Sequence, residues 1–184
     1  YLQKAVLLAF SYIFLASFGL KFLIINFIFS TAIFLFARAA QGKDSVIPFA
    51  AGVIFVLCAL MFFKYGDYFA IKFTRLHLEN IALPLGISFY SFMSILLLKA
   101  VRDGEIEAPS YLDTLIFLSF FAAIISGPIL RPKPFFEALN SPKVFSASPV
   151  IFALLCSALF KKLIVANHLF EIVNPVFAAP TLPA

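Results

Sequence analysis

Hydroxyl groups embedded in apolar sequence are the first chemistry this chain offers. Ser88, Tyr90 and Ser91 lie within Leu83-Pro84-Leu85-Gly86-Ile87-Ser88-Phe89-Tyr90-Ser91-Phe92, and Ser94 follows one turn later. Ser126 lies in a second run of the same kind, Ile125-Ser126-Gly127-Pro128-Ile129-Leu130-Arg131. Each run is broken by a proline and a glycine. Inside a bilayer, irregular backbone is tolerated only where protein buries it or a watery cavity meets it, so both runs are read as the wall of an internal cavity. Ser88, Ser91 and Ser94 share one helical face and suit close helix packing, since small hydroxyl residues let backbones approach and bond across. Tyr90 differs from Tyr1, Tyr65, Tyr68 and Tyr111, which sit at segment ends where an aromatic belt places them. A phenol deep in an apolar run needs a partner, and beside a cavity a polar substrate can supply it.

The elements that must position these groups are membrane helices. The chain has 184 residues, 63% of them hydrophobic and 12% charged, with mean hydropathy +1.05. Soluble domains carry about a quarter charged residues, which sets this chain apart. Cys58 and Cys156 each lie in an apolar run with no ligand-type spacing, which argues against metal binding and a disulfide framework. The net charge is +5, yet the basic residues stand singly or in pairs at segment ends, as headgroup-facing flanks do. No basic stripe marks a nucleic-acid surface.

Six apolar runs are expected in a single transmembrane region covering residues 1–184: 5–20, 22–37, 46–63, 81–98, 112–130 and 150–165. Several fall just short of the ~20 residues that cross a ~30 Å hydrocarbon core, and flanking Lys and Arg extend them. Gln41-Gly42-Lys43-Asp44 reads as a turn, and residues 64–80 as either an interfacial amphipathic helix or a covered loop. Asp113 suits the first turn of the fifth run, where acid complements the helix dipole. Arg131-Pro132-Lys133-Pro134 reads as an extended surface loop. If all six runs span, Lys4, Arg38, Lys43, Lys99, Arg102, Lys161 and Lys162 face Lys21, Lys64, Lys72, Arg75, Arg131, Lys133 and Lys143. That tie assigns no orientation, and it points to the broken fifth run as one that enters and returns on one side. Asn26 reads as glue between helices. His77 falls in a charged joint. His168 and Glu171 are spaced to touch on a helix, but at a segment end with no nucleophile nearby.

The two broken runs resemble signatures of the membrane-bound O-acyltransferases, in the bacterial branch that includes alginate O-acetylation and D-alanyl transfer proteins. Phe62-Phe63-Lys64-Tyr65 and Phe160-Lys161-Lys162-Leu163-Ile164-Val165-Ala166-Asn167 look like the same branch, and the four occur in order. The chain departs from the pattern at Phe121-Ala122-Ala123, where relatives usually place a proline, and at Leu98-Lys99-Ala100-Val101-Arg102-Asp103-Gly104. The resemblance implies a ring of all-α helices around a thin core in the inner membrane of a bacterium. It implies an acyl thioester donor (acyl-CoA or an acyl carrier) arriving from the cytoplasm, with no bound cofactor, and an extracytoplasmic polysaccharide or cell-wall polymer as acceptor. Partners would be membrane lipids and an extracytoplasmic acyltransferase or polymer-synthesis protein. Ser88, Tyr90, Ser126, Gly127 and Pro128 would line the path, with Arg131 as an anion contact or an interfacial flank. The family's histidine, in a Trp-His context, is expected beyond Ala184, so these residues alone are expected to be inactive. The alternatives are a multipass transporter or export subunit, whose broken helices also line midplane cavities, and a non-catalytic membrane scaffold.

Overall fold

The computed structural model describes residues 2–42, 45–74, 83–125, 127–141 and 149–178, with side chains outside 67–74 and 176–178. The regular elements among them are α1 (Leu2–Phe18), α2 (Leu20–Ala39), α3 (Val46–Thr74), α4 (Ile87–Arg102), α5 (Tyr111–Ser119), α6 (Pro132–Asn140), α7 (Pro149–Phe160) and α8 (Asn167–Ala178). A π-helical turn over Lys161–Ala166 joins the last two. The all-α, multi-pass expectation holds: Leu20–Ala39, Val46–Gly66 and Pro149–Pro175 are long and apolar enough to cross a membrane, beside shorter apolar helices. The chain forms two compact units, Tyr1–Ser141 and Pro142–Ala184.

In the first unit, α1 and α2 are separated by Gly19, whose φ of 143° is open to glycine and costly for other residues. α4 is the enclosed helix, packed by α2, α3, α5 and α6. Its Leu97 and Leu98 are fully buried, and Gly52 of α3 lets Leu98 come so close that an added Cβ would sit 2.8 Å from its Cδ1. Arg102 lies over the Phe49 ring at 4.7 Å, so the end of α4 meets the start of α3 and the two run antiparallel. Residues 64–74 continue α3 as helix. Residues 75–80, His77 and the Lys43-Asp44 turn lie outside the described residues.

The fifth run departs from a single helix over 112–130. α5 ends at Ser119, about 14 Å long at 1.5 Å per residue, well before Gly127-Pro128. Its course follows from its contacts. Lys4 Nζ lies 2.6 Å from Asp113 Oδ1, and the Phe121 N–H reaches Ser11 Oγ at 3.4 Å, so α5 runs parallel to α1. Tyr111 and Thr31 hydroxyls meet at 3.0 Å, and Asn26 Nδ2 donates to the Leu118 carbonyl at 3.2 Å, so α2 runs the opposite way. The chain turns over 121–125, is non-helical over 127–131, and enters α6, whose Phe135 and Phe136 pack on Phe117 at ring distances of 5.1 and 5.2 Å. The run thus enters and leaves at the same end of α4, as the charge tie suggested.

Helix α6 corrects the reading of Arg131-Pro132-Lys133-Pro134 as an extended loop. Arg131 is its N-cap and Pro132 its first residue. Proline is harmless in a first turn, where amide hydrogens have no helical acceptor. Polar residues of α1 and α2 compensate for the early end of α5. A helix end leaves carbonyls unpaired, and Asn26, 1% exposed, takes up that of Leu118. The expectation that Asn26 glues helices is met. Asn26→Leu keeps the γ-branched outline and removes this bond, so the purified protein should lose about 1–3 kcal/mol in a denaturant or thermal unfolding series. Ser17→Ala should be near neutral, because Ser17 bonds only the Phe14 carbonyl one turn back in its own helix, on an exposed face.

In the second unit, α7, the π turn and α8 form one continuous helix, and every described side chain from Pro149 to Pro175 is exposed. Lys161 and Lys162 therefore lie within this helix, which continues past 165, where the sixth run was expected to end. His168 and Glu171 are both exposed on α8.

Candidate functional site

The two broken runs meet. Gly86 is the N-cap of α4, with φ 74° and ψ 10°, in the left-handed region that glycine occupies without strain. Its α-carbon faces the carbonyl of Ile124, into which a Cβ would collide. The turn of the re-entrant stretch thus seats against the first turn of α4. Pro84 accepts the Ile87 amide hydrogen at 3.2 Å, and Gly86 accepts that of Tyr90 at 3.1 Å, so α4 begins at Ile87 and not at Ile81. The Gly127 amide bonds the Ala123 carbonyl at 3.1 Å, and a Cβ at Gly127 would press on Ala122 and Ala123. Both glycines are used for close approach of backbone to backbone.

Tyr90 and Ser91 sit one turn into α4 from this meeting point. Each is 1% exposed, and neither Tyr90 Oη nor Ser91 Oγ finds a partner among the described residues. The Tyr90 ring packs edge-on against Phe29 at 4.8 Å, which fixes the phenol without satisfying its hydroxyl. Ser94 instead donates to the Tyr90 carbonyl at 2.6 Å. On α1, Tyr12 Oη, and on α2, which packs against α4, Asn26 Oδ1 and Ser30 Oγ are also buried and unpartnered among the described residues. A buried unpaired polar group costs about 1–3 kcal/mol, so the first unit keeps an excess of polar capacity on α1, α2 and α4.

The candidate residues separate into two places. Ser88 is half-buried in the first turn of α4, beside Tyr90, and Gly127 is half-buried while Pro128 is exposed. Ser126 lies outside the described residues. Arg131 is elsewhere. It lines a groove of about 610 Å³ with Leu96, Lys99, Glu105, Ile129 and Lys133, at the opposite end of α4 from Gly86. Lys4 and Asp113 escaped sequence reasoning as a pair, being 109 positions apart with no local signal. Asp113 was recognised only as a first-turn acid. Its amide hydrogen also reaches the N-cap Ser110 Oγ at 3.2 Å.

Comparison with known proteins gives a consistent set of relatives. Over 99 residues the chain is 33% identical to "Probable alginate O-acetylase AlgI" of Pseudomonas aeruginosa, covering 48% of this chain and 19% of that protein. Over 145 residues it is 32% identical to the protein of that name in Pseudomonas syringae pv. tomato, covering 67% and 27%. A "Peptidoglycan O-acetyltransferase" of Helicobacter pylori is 27% identical over 151 residues, covering 64% and 29%. The chain therefore spans less than a third of the length of these relatives. No family model matches the chain, and no solved structure matches it.

Proposed function

We propose that this chain, similar to alginate O-acetylases and a peptidoglycan O-acetyltransferase, is a stretch of a membrane-bound O-acyltransferase and forms part of the wall along which an acyl group passes to an extracytoplasmic polymer. The donor is an acyl thioester, an acetyl group in the first instance. The acceptor is a hydroxyl of a polysaccharide or cell-wall glycan, as the names of the relatives suggest. The observation that carries this reading is the meeting of the two broken runs at Gly86 and Ile124, with the unpartnered hydroxyls of Tyr90 and Ser91 one turn away. Acyl transfer needs a base for the acceptor hydroxyl and donors aimed at the developing oxyanion. A phenol held rigid by Phe29 and lacking a protein partner is suited to hold a polar substrate group there. Ser88 and the Gly127-Pro128 break complete the lining. The base is supplied by the family's histidine outside these residues, and an extracytoplasmic partner receives the acyl group or hands it to the polymer.

Tyr90→Phe tests this directly. In the full-length protein it should leave unfolding unchanged or slightly stabilised, because it removes a buried polar atom that has no partner. Acyl transfer from a labelled acetyl thioester to a uronate or glycan acceptor should fall by about tenfold or more, the 1.4 kcal/mol scale of one hydrogen bond lost in the transition state. Unchanged transfer with unchanged stability would remove Tyr90 from the path.

The re-entrant course also favours one orientation. Among the described residues of the first unit, Lys4, Arg38, Lys99, Arg102, Arg131 and Lys133 gather at the end of α4, whereas Lys21, Lys64 and Lys72 belong to the other end. By the positive-inside preference this distribution supports a reading with the end of α4 in the cytoplasm and Gly86 toward the outer half, the membrane being the inner membrane of a bacterium. With Cys58 and Cys156 replaced by Ala, a cysteine at Lys133 should resist an impermeant maleimide added to intact spheroplasts, and one at Lys21 should react. The reverse labelling would invert the orientation.

A further inference from the structure

The groove at the end of α4 has a charge pattern that the acyl path does not use. Lys99, Arg131 and Lys133 face a single carboxylate, Glu105. Lys99 has only a loose, exposed contact with Asp103 at 3.8 Å, and Arg131 and Lys133 form no ion pair among the described residues. A second depression of about 450 Å³ adjoins it, lined by Glu105, Glu107, Asp113 and Glu137 together with the same Lys133. Glu105 and Lys133 border both concavities, the first being otherwise lined by basic groups and the second by acidic ones. The basic groove also has an apolar wall, from Leu96, Ile129, Pro132 and Pro134, and it lies where the apolar α4 ends in Lys99 and Arg102. That level corresponds to the headgroups of a bilayer, where basic pockets between membrane helices recognise anionic lipid.

We propose that this groove seats the phosphate and glycerol backbone of an anionic phospholipid, with Arg131, Lys133 and Lys99 on the phosphate and the apolar wall against the first acyl methylenes. A phospholipid meets both requirements: a negative charge at headgroup level and an apolar continuation along the helix. The inference rests on multi-pass membrane placement and not on acyl transfer, so it can fail while that reading stands. It also gives Arg131 a role apart from Tyr90, matching the separation of the two along α4.

The test is lipid retention by the full-length protein in mild detergent, read by native mass spectrometry. Phosphatidylglycerol and phosphatidylcholine with identical acyl chains are the probes. Phosphatidylglycerol should be retained preferentially. Arg131→Gln/Lys133→Gln should weaken that retention, by roughly fivefold for each charge removed, whereas Lys161→Gln/Lys162→Gln, in the second unit, should keep it. Arg131→Lys/Lys133→Arg conserves charge and should also retain the lipid, which separates recognition from a folding defect. Equal retention of the two lipids, or undiminished retention by the Gln pair, would overturn the proposal. So would displacement of phosphatidylglycerol by an equal concentration of coenzyme A, which would assign the groove to the phosphate of a soluble donor.

Discussion

Gly86→Val should leave little folded protein. At φ 74° the substituted residue takes on a left-handed conformation, which costs about 1–2 kcal/mol for a residue with a Cβ and more when it is branched. The new Cβ must also displace the Ile124 carbonyl, and overpacking of this kind costs about 1–3 kcal/mol. The sum, about 2–5 kcal/mol, is a large part of the marginal stability of a typical domain. Gly104 provides the control. Its φ is 75°, almost the same, but nothing lies within 4 Å of an added Cβ. Gly104→Val should therefore carry the conformational cost alone. The difference between the two variants in thermal unfolding or in detergent-soluble yield measures how tightly the re-entrant stretch is seated on α4. Equal behaviour would mean that this contact contributes nothing.

Asp113→Ala is the second substitution with a large expected effect. Asp113 is 7% exposed, and its carboxylate meets the Lys4 ammonium at 2.6 Å, with side-chain exposures of 10% and 21%. Removing one partner of a mostly buried pair leaves the other desolvated without compensation, at a cost of about 3–5 kcal/mol. The partial exposure of Lys4 lets it turn toward headgroups, which argues for the lower end of that range. Lys4→Met/Asp113→Leu replaces both charges by apolar groups of similar bulk and should recover most of the loss, since such replacements are often neutral. Failure of the double substitution to recover stability would show that Asp113 acts through some contact other than Lys4. The pair matters to the site because it fixes where α5 starts, and hence how deep its end at Ser119 reaches toward Gly86.

Much of this architecture was legible in the residues. Apolar runs ending in single basic residues located α1, α2, the first part of α3 and α4, because spanning helices need length and low charge and little else. The broken fifth run was recognisable by Gly127-Pro128, but its helix stops eight residues earlier, at Ser119. The reason lies outside the run: Asn26 and Ser11 on other helices satisfy the backbone at Leu118 and Phe121, and no local pattern records such a contact. Pro132 and Pro134 were misread for the opposite reason, since proline ends one helix and starts another equally well. Of the residues singled out for chemistry, Ser88 and Tyr90 could be identified from hydroxyls in an apolar run. That Arg131 lies at the other end of α4 depended on the chain doubling back, which only the three-dimensional path reveals.

The shortness of α5 has a consequence for biogenesis. A nine-residue helix reaches less than half the hydrocarbon thickness, so it cannot cross the bilayer by itself. The stretch from Tyr111 to Asn140 should therefore settle into its re-entrant course only when α1, α2 and α4 are present to enclose it. A shortened chain lacking any one of these three helices should leave this segment unseated, and an introduced cysteine near Ser119 should then become open to labelling.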